Sequence, residues 1–227
     1  MMNIVDILHS SQPGNALKKQ PKLWPLYLDL GAKISAGPAP FHHGTVLDHL
    51  CRCMNDCAGD PLAVWMALTH DAGKCTTPLA MLPHHYGHEL RGEILARIWA
   101  KQLKLNDIYA EAGENAALLH MRAGRYLKMR PGKQYTLLNI VNHLPYAQAF
   151  WKVVDADSRS SLSLLSFHDW QLLQNAKKAG LSEQKQIQEL AMHGVSAMIK
   201  RTIKTNQKSA QSKNLIKNSE TKAEKEN

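Results

Sequence analysis

Apolar positions recur at helical spacing along most of this chain, and no stretch alternates between apolar and polar residues as a half-buried strand would. In the clearest case, one face of a helix is formed by Leu90, Ile94, Leu95, Ile98 and Trp99. In chain order, the pattern predicts helices over 49–57, 61–70, 88–103 and 107–121, and two more within 135–156 that separate near Pro145. It therefore predicts an all-α fold.

Residues with strong preferences for helix ends mark two of these helices. Asp60 is suited to cap the N-terminus of the second helix, and Pro61 suits its first position. Gly73 suits the residue just beyond the last turn of that helix. Thr45 and Asp48 form a capping-box pattern at the start of the preceding helix.

The pattern also divides the chain into four parts. A lead-in of short helices is predicted over residues 1–40, where Gly31 could end the last helix, and a main helical domain is predicted over 41–180. The apolar face of the lead-in consists of Trp24, Leu26, Tyr27 and Leu30. An amphipathic helix is expected over 181–205, and a disordered basic tail over 206–227, where apolar residues are almost absent.

The C-terminal amphipathic helix has two interpretations. Ser182 is a plausible cap, and the apolar stripe includes Ile187, Leu190, Met198 and Ile199. We expect the stripe to pack on the main domain. Binding of a partner protein to the same stripe is the alternative.

Length, charge and hydrophobicity indicate a globular protein without a membrane-spanning segment. The 227 residues are enough for one sizeable core, and the formal net charge of +9 favours phosphate-bearing partners without identifying them. No apolar run is long enough to span a bilayer, and the N-terminus lacks the features of a signal peptide. We therefore expect a cytoplasmic protein without a membrane partner.

The cysteines do not form a spaced disulfide framework. Cys51, Cys53 and Cys57 cluster on one predicted helix, and Cys75 stands alone, which suits reduced thiols. Cys53 and Cys57 share a helix face with His49, so a cysteine-ligated zinc is one interpretation. Small apolar packing residues are the interpretation that the sequence favours.

The candidate chemistry centres on His70 and Asp71, which lie side by side at the end of an apolar helix. A buried aspartate is costly unless it is paired or binds a metal. An isolated pair of this kind is more often satisfied by nearby backbone groups. Further histidines in the chain favour a functional site instead. They are His49 upstream and His85, His88 and His120 downstream.

The order of a histidine, a His-Asp pair and a distant aspartate resembles the HD superfamily of metal-dependent phosphohydrolases. The stretches 69–74, 77–78 and 82–88 are similar, more closely, to the C-terminal HD domain of bacterial tRNA nucleotidyltransferases. Phe41, His42 and His43, which lead into 46–49, also fit that family. The similarity covers about 41–160. The Gly-rich nucleotide loop of the family's polymerase head is missing, so we expect an HD domain that adds no nucleotides.

The resemblance implies a helical bundle that binds a divalent metal ion, for which Ni, Mn, Co, Fe, Zn and Mg are candidates. It places the metal ligands at His49, His70, Asp71 and Asp157. The coordination positions left open would accept water and a phosphate oxygen, and Asp71 would also orient the water.

Three further residues could act on the substrate. His85 and His88 lie at or before a helix N-terminus and could hold phosphate, transfer a proton or bind a second ion. Lys74 is a candidate phosphate contact. The alternatives are surface histidines in a turn and an exposed lysine.

The resemblance implies hydrolysis of phosphomonoesters or phosphodiesters by metal-activated water. The candidate substrates include 2′,3′-cyclic nucleotides, 2′-nucleotides and RNA ends. Two alternatives remain open: a non-catalytic module that binds nucleotide or RNA, and an accessory interaction protein that uses its basic tail.

A basic stretch suggests how RNA could bind. It contains Arg122, Arg125, Lys128 and Arg130, with Tyr126 and Tyr135 interleaved. The basic tail would add further phosphate contacts. A solvated basic loop is the alternative, and the sequence does not predict an oligomeric state.

Overall fold

The computed structural model describes residues 2–39 and 44–223, together with all of their side chains except those of 210 and 212–223. Pro40 and the Phe41, His42 and His43 of the family resemblance lie outside the described residues. Within the described part the fold is all-α, as predicted, and the only β-type pairing is an isolated bridge between Ser35 and Thr45.

The helices follow one another along the chain. They are α1 Ile4–Leu8, α2 Pro13–Lys18, α3 Leu28–Gly31, α4 Val46–Asp56, α5 Pro61–Thr69, α6 His88–Gln102, α7 Asp107–Gly124, α8 Pro131–Val141, α9 Ala147–Ser158, α10 Leu162–Lys178, α11 Glu183–His193 and α12 Val195–Ala223. Short 3₁₀ helices cover Pro21–Leu23, Ala72–Thr76, Leu79–Met81 and Tyr126–Lys128.

The central helix is α5, whose residues from Ala63 to Thr69 are all buried. Asp60 caps it by accepting a hydrogen bond from the backbone N–H of Ala63 at 3.0 Å, and Pro61 occupies the first turn, as predicted. Helices α4, α7 and α9 pack against it. Because α5 is surrounded, the residues that follow its last turn enter the protein interior.

The start of α4 is fixed by the predicted capping box. The side chain of Thr45 accepts a hydrogen bond from the Asp48 N–H at 3.1 Å, and the Asp48 carboxylate accepts one from the Thr45 N–H at 3.0 Å. The pKa of Asp48 falls to about 2, chiefly because Lys18 donates a hydrogen bond to it. The cap therefore fixes the first residue of α4 and, with it, the face of the helix on which each later side chain lies.

Gly73 has a different role from the predicted one. It lies within a 3₁₀ turn, Ala72–Thr76, and it does not have the left-handed backbone expected of a helix-ending glycine. A Cβ at this position would lie 1.9 Å from the backbone oxygen of His88, at the start of α6. Glycine is needed because α6 approaches the turn so closely.

The lead-in contains less helix than predicted around Trp24. The segment forms a 3₁₀ turn, Pro21–Leu23, and the single helical turn of α3, because Tyr27 has a left-handed backbone with φ of 68°. The Trp24 indole donates a hydrogen bond to the Leu17 carbonyl at 2.9 Å. Gly31 is the last residue of α3.

The chain forms two compact units. The first consists of Met1–Tyr126 and Asn139–Leu164, and the second of Leu127–Leu138 and Leu165–Asn227. In the first unit the lead-in packs on α4, where the Gly14 N–H donates to the Asn55 side chain at 2.8 Å. The four-part division drawn from the sequence stays a prediction.

The second unit differs in detail from the sequence pattern. Most of α10, a helix that the pattern did not predict, belongs to it. The single helix expected over 181–205 is divided at Gly194 into α11 and α12, and the backbone of α12 is helical as far as Ala223, where a disordered tail was expected. The buried Asp169 accepts a hydrogen bond from the Val195 N–H at 2.7 Å and so fixes the start of α12. None of the helices in the described part is long and apolar enough to cross a membrane.

Candidate metal centre

Five elements of the first unit bring histidines and aspartates to one place beyond the C-terminus of α5. The contributing residues are His49 on α4, His70 and Asp71 at and after the end of α5, His88 at the start of α6, His120 on α7 and Asp157 on α9. Their side chains are buried, apart from that of Asp157, which is 24% exposed.

The four predicted metal ligands converge. Nε2 of His49 lies 3.1 Å from Nε2 of His70, 3.2 Å from Oδ2 of Asp71 and 3.3 Å from Oδ1 of Asp157. Nε2 of His70 lies 3.5 Å and 3.7 Å from the same two oxygens. The aspartate that joins this group from α9 is Asp157. Asp155 instead accepts a hydrogen bond from the Ser163 N–H at 3.0 Å.

A second group of donors lies on the other side of Asp71. Its Oδ1 atom is 3.1 Å from Nε2 of His88 and 3.2 Å from Nε2 of His120, and the two ring nitrogens are 3.3 Å apart. His120 was among the histidines that drew attention in the sequence, but it was not predicted as a metal ligand. No spacing rule connects α7 with α6, so its approach to His88 and Asp71 was not predictable.

The histidine tautomers can be assigned from their backbone contacts. Nδ1 of His70 donates to the Ala67 carbonyl at 2.8 Å, and Nδ1 of His88 donates to the His85 carbonyl at 2.7 Å. Nδ1 of His120 likewise donates to the Ala117 carbonyl at 2.9 Å. Each ring, when neutral, therefore directs the lone pair of Nε2 into the cluster.

Both carboxylates of the cluster are held in their ionised form. Burial raises the pKa of Asp71, but Lys74 and the surrounding histidines outweigh burial and hold that pKa well below its usual range. The hydrogen bond from His49 and the nearby His70 ring likewise outweigh burial and keep the pKa of Asp157 well below its usual range. Burial lowers the pKa of His70. The cluster thus contains two carboxylates and a neutral imidazole.

The donor set fits a divalent cation. With neutral rings, the buried Oδ1 of Asp71 faces the lone pairs of His88 and His120 and has no hydrogen-bond donor. A proton on His120 relieves this contact, since burial lowers the pKa of His120 and the Asp71 carboxylate raises it by more. A metal ion between these atoms would relieve the contact by accepting all of the lone pairs, and imidazole with carboxylate suits borderline divalent metals.

His49 differs from the other histidines because of Arg52. A guanidinium can only donate, and Nη2 of Arg52 lies 3.2 Å from Nδ1 of His49, so the ring proton lies on Nε2, which faces Asp71 and Asp157. Arg52 also donates to the Ala156 carbonyl at 2.8 Å. Metal binding at Nε2 would replace that proton and require Arg52 to release Nδ1.

Lys74 is buried, so the exposed-lysine alternative is wrong. Its ammonium group lies 2.7 Å from Oδ2 of Asp71 and donates to the Ala36 carbonyl at 3.0 Å. Lys74 therefore balances the charge of the cluster and lies on the wall of the cavity described below. Its contact with phosphate remains a prediction.

His85 is also buried, and both of its ring nitrogens have partners. Nε2 donates to the Ser35 carbonyl at 2.9 Å, and Nδ1 accepts from the Thr77 hydroxyl at 2.7 Å. Arg91 donates to the same hydroxyl at 3.1 Å and to the Gly73 carbonyl at 3.2 Å. These contacts favour a positioning role for His85, whereas His88 lies within the cluster.

The cluster opens into a cavity of about 400 Å³. Asp71, His88, His120 and Asp157 form its inner wall, whereas His49 and His70 are not among its lining residues. Nearer the surface it is lined by Arg125 and by the stacked rings of His84 and Tyr86, whose centroids are 5.4 Å apart. A substrate could therefore reach the Asp71 side of the cluster from solvent.

The predicted RNA-binding residues divide between the two compact units. Arg122 and Arg125 belong to the first unit, where both are exposed. Lys128 and Arg130 belong to the second. Of these four, Arg125 lines the cavity, and RNA binding by the whole set stays a prediction.

Comparison with known proteins finds partial similarity to multifunctional CCA proteins. The chain is 30% identical to that of Legionella pneumophila (strain Lens) over 124 residues, which is 53% of this chain and 30% of the relative. It is 32% identical to that of Chromobacterium violaceum over 121 residues, which is 51% of this chain and again 30% of the relative. The protein from Aromatoleum aromaticum is 35% identical over 101 residues, 44% of this chain and 23% of the relative.

The chain thus spans less than a third of the length of these relatives. No family model matches it, and the search of solved structures gave no match. The similarity is therefore partial, and the His/Asp cluster itself is a group of side chains that could hold a metal ion.

Proposed function

We propose that the protein is a metal-dependent phosphohydrolase that acts on phosphomonoesters or phosphodiesters of nucleotides or RNA ends. One observation carries the proposal: Asp71 lies between two pairs of histidines, and its Oδ1 side faces a cavity open to solvent. The resemblance to the HD domain of tRNA nucleotidyltransferases and the similarity to multifunctional CCA proteins support the substrate class.

His49, His70, Asp71 and Asp157 would hold a divalent metal ion, and His88 and His120 would hold a second ion with the other Asp71 oxygen. A divalent metal bound here would acidify water and polarise a phosphoryl oxygen. Asp71 would orient that water, since its two oxygens face the two sides of the cluster. Lys74 holds Asp71 in its ionised form.

The cavity has features that suit a nucleotide. Arg125 provides a cation for a phosphate, and the His84 and Tyr86 rings are nearly parallel, with an interplanar angle of 16°. The side chain of Tyr86 is exposed, so one face of the ring pair is accessible to a base. Base stacking on aromatic rings is independent of sequence, which suits a substrate with any base.

Turnover of a panel of phosphate esters tests this proposal. The panel should contain 2′,3′-cyclic nucleotides, 2′-nucleotides, RNA oligonucleotides ending in 2′,3′-cyclic phosphate, and glycerol 2-phosphate as an ester without a ring. Each is incubated with metal-stripped protein and with protein reloaded with Ni, Mn, Co, Fe, Zn or Mg. We expect metal-dependent release of phosphate or ring opening of the cyclic ester.

Tight binding of nucleotide or RNA without turnover under every metal would instead favour the non-catalytic binding module. No binding and no turnover would favour the accessory interaction protein. Either result would contradict hydrolysis as the function.

A further inference from the structure

We infer that Cys53 is a metal ligand, which takes the place of Asp71 as the fourth donor beside His49, His70 and Asp157. The inference rests on the proposed metal centre and revises its ligand set: Oδ2 of Asp71 also lies 3.2 Å from Nε2 of His49, but it is paired with the Lys74 ammonium group at 2.7 Å. Cys53 follows His49 by four residues on α4, so both side chains project from the same helix face. The sulfur is fully buried and lies 3.9 Å from Nε2 of His49.

The four donor atoms form a compact group. All of them lie within 4.8 Å of one another, and Oδ1 of Asp157 is 3.3 Å from Nε2 of His49 and 3.7 Å from Nε2 of His70. Tetrahedral zinc has bonds of about 2.0–2.1 Å to nitrogen and about 2.3 Å to sulfur, which places two nitrogens about 3.3 Å apart and nitrogen about 3.6 Å from sulfur. The corresponding distances are 3.1 Å between His49 and His70 and 3.9 Å between His49 and Cys53.

The charges of this donor set also balance. One thiolate and one carboxylate neutralise a divalent cation, and the two imidazoles add no charge. A neutral assembly avoids most of the cost of placing an ion in the buried space at the end of α5. The other three cysteines have no such partners and belong to no donor group in the described part of the chain.

With Cys53 as a ligand, the two metal positions of the centre have different roles. The position formed with His49, His70 and Asp157 has four protein ligands, as structural metal sites do, and a thiolate gives it a preference for soft metals such as zinc. Of these four residues only Asp157 lines the cavity. The position formed by Asp71, His88 and His120 is the more open to substrate, since all three residues line the cavity, and an ion at the first position would connect α4, α5 and α9.

Cobalt(II) spectroscopy of the full chain tests the inference without reference to hydrolysis. Metal-stripped protein is titrated with Co²⁺ and its absorption recorded. We expect a thiolate-to-cobalt charge-transfer band in the near ultraviolet together with the intense visible bands of tetrahedral cobalt. Cys53→Ser should lose the charge-transfer band and bind Zn²⁺ at least about tenfold more weakly, as expected for damage to a metal site.

Cys57→Ser is the matched control, because Cys57 is equally buried at the end of the same helix and should retain the band. Should Cys53→Ser fail to fold, the complementary variant with Cys51, Cys57 and Cys75 changed to serine must keep the band, since Cys53 alone remains. Bound cobalt without a charge-transfer band in the wild type, or an unchanged band in Cys53→Ser, would overturn the inference. Hydrolysis by a wild type that lacks the band would leave the proposed function standing and remove only Cys53.

Discussion

At the residue scale, the chemistry depends on where single donor atoms point. Asp71 is only 2% exposed, and its two oxygens face different pairs of histidines. A buried carboxylate is stable only with compensating charge, which Lys74 provides in part at 2.7 Å. The adjacent pair His70 and Asp71 could be recognised from the sequence. The position of Cys53 on the same helix face as His49 could be recognised too. Its approach to His70 and Asp157 could not, and neither could the position of His120, because both depend on how the helices pack.

The buried thiols give a prediction about stability at alkaline pH. Burial raises the pKa of Cys51, Cys57 and Cys75 from 9.0 to about 12. Above pH 9 the unfolded chain loses these protons while the folded chain keeps them, so the free energy of unfolding falls as pH rises. The loss should be about 1 kcal/mol per thiol at pH 10.

Urea unfolding of metal-stripped protein at pH 8 and pH 10 measures this effect. Cys57→Ala should show a smaller loss between the two pH values than the wild type, since one buried thiol is gone. Other ionisable groups affect both proteins alike. An equal loss in the two proteins would show that Cys57 ionises as freely in the fold as in the unfolded chain.

At the element scale, the helices that form the site have strong local signals. Asp60 and Thr45 were predicted from the sequence as helix caps, and in the structure they cap the starts of α5 and α4. The contact of α6 with the turn after α5 is different, because it depends on a distance between separate elements. For that reason Gly73 could be recognised as special, but its role was assigned incorrectly.

This contact predicts the effect of Gly73→Ala. The added methyl group would meet the His88 backbone oxygen at 1.9 Å, and backbone cannot move aside as a flexible side chain can. We expect a loss of about 2 kcal/mol or more in the free energy of unfolding, as is common for overpacked interiors. Displacement of α6 should also weaken metal binding at His88.

Gly124→Ala is the control, since a Cβ at Gly124 meets nothing within 4 Å. It should leave stability unchanged or raise it by up to about 1 kcal/mol. Chemical denaturation of both variants measures the difference. Equal stability for the two variants would refute a role for close approach at Gly73.

At the scale of the whole molecule, the site belongs to the first compact unit, and the basic C-terminal segment belongs to the second. The all-α class was predictable because helical periodicity persists through most of the chain. The helix α10 was missed although its sequence is rich in apolar residues. The break at Gly194 and the extent of α12 were not predictable, because weakly apolar sequences leave their conformation to packing and chain context.

The basic segment predicts a separation between catalysis and RNA binding. Deletion of 206–227 should leave hydrolysis of a mononucleotide unchanged, because no donor of the metal cluster lies there. It should weaken binding to an RNA strand and reduce its salt dependence, since fewer counterions are released. A full-length variant with Lys208, Lys213 and Lys217 changed to glutamine should behave like the deletion.

RNA affinity measured over a range of salt concentrations tests whether the basic segment binds RNA. Charge reversal at Arg122 and Arg125 should weaken binding further. If wild type and truncated protein have the same RNA affinity and the same salt dependence, the basic segment does not bind RNA and serves only solubility. Small phosphate esters would then be the favoured substrate class.

The most direct test of the metal-dependent mechanism is the turnover number of Asp71→Ala on a 2′,3′-cyclic nucleotide, with the metal content and helical circular dichroism measured on the same sample. Asp71 touches both halves of the centre, so its loss should lower turnover by about 10³-fold or more, equivalent to about 4 kcal/mol of transition-state stabilisation, in a protein that remains helical. Asp155→Ala, a change of a nearby aspartate outside the cluster, should retain turnover. Full turnover by folded, carefully purified Asp71→Ala would contradict the mechanism.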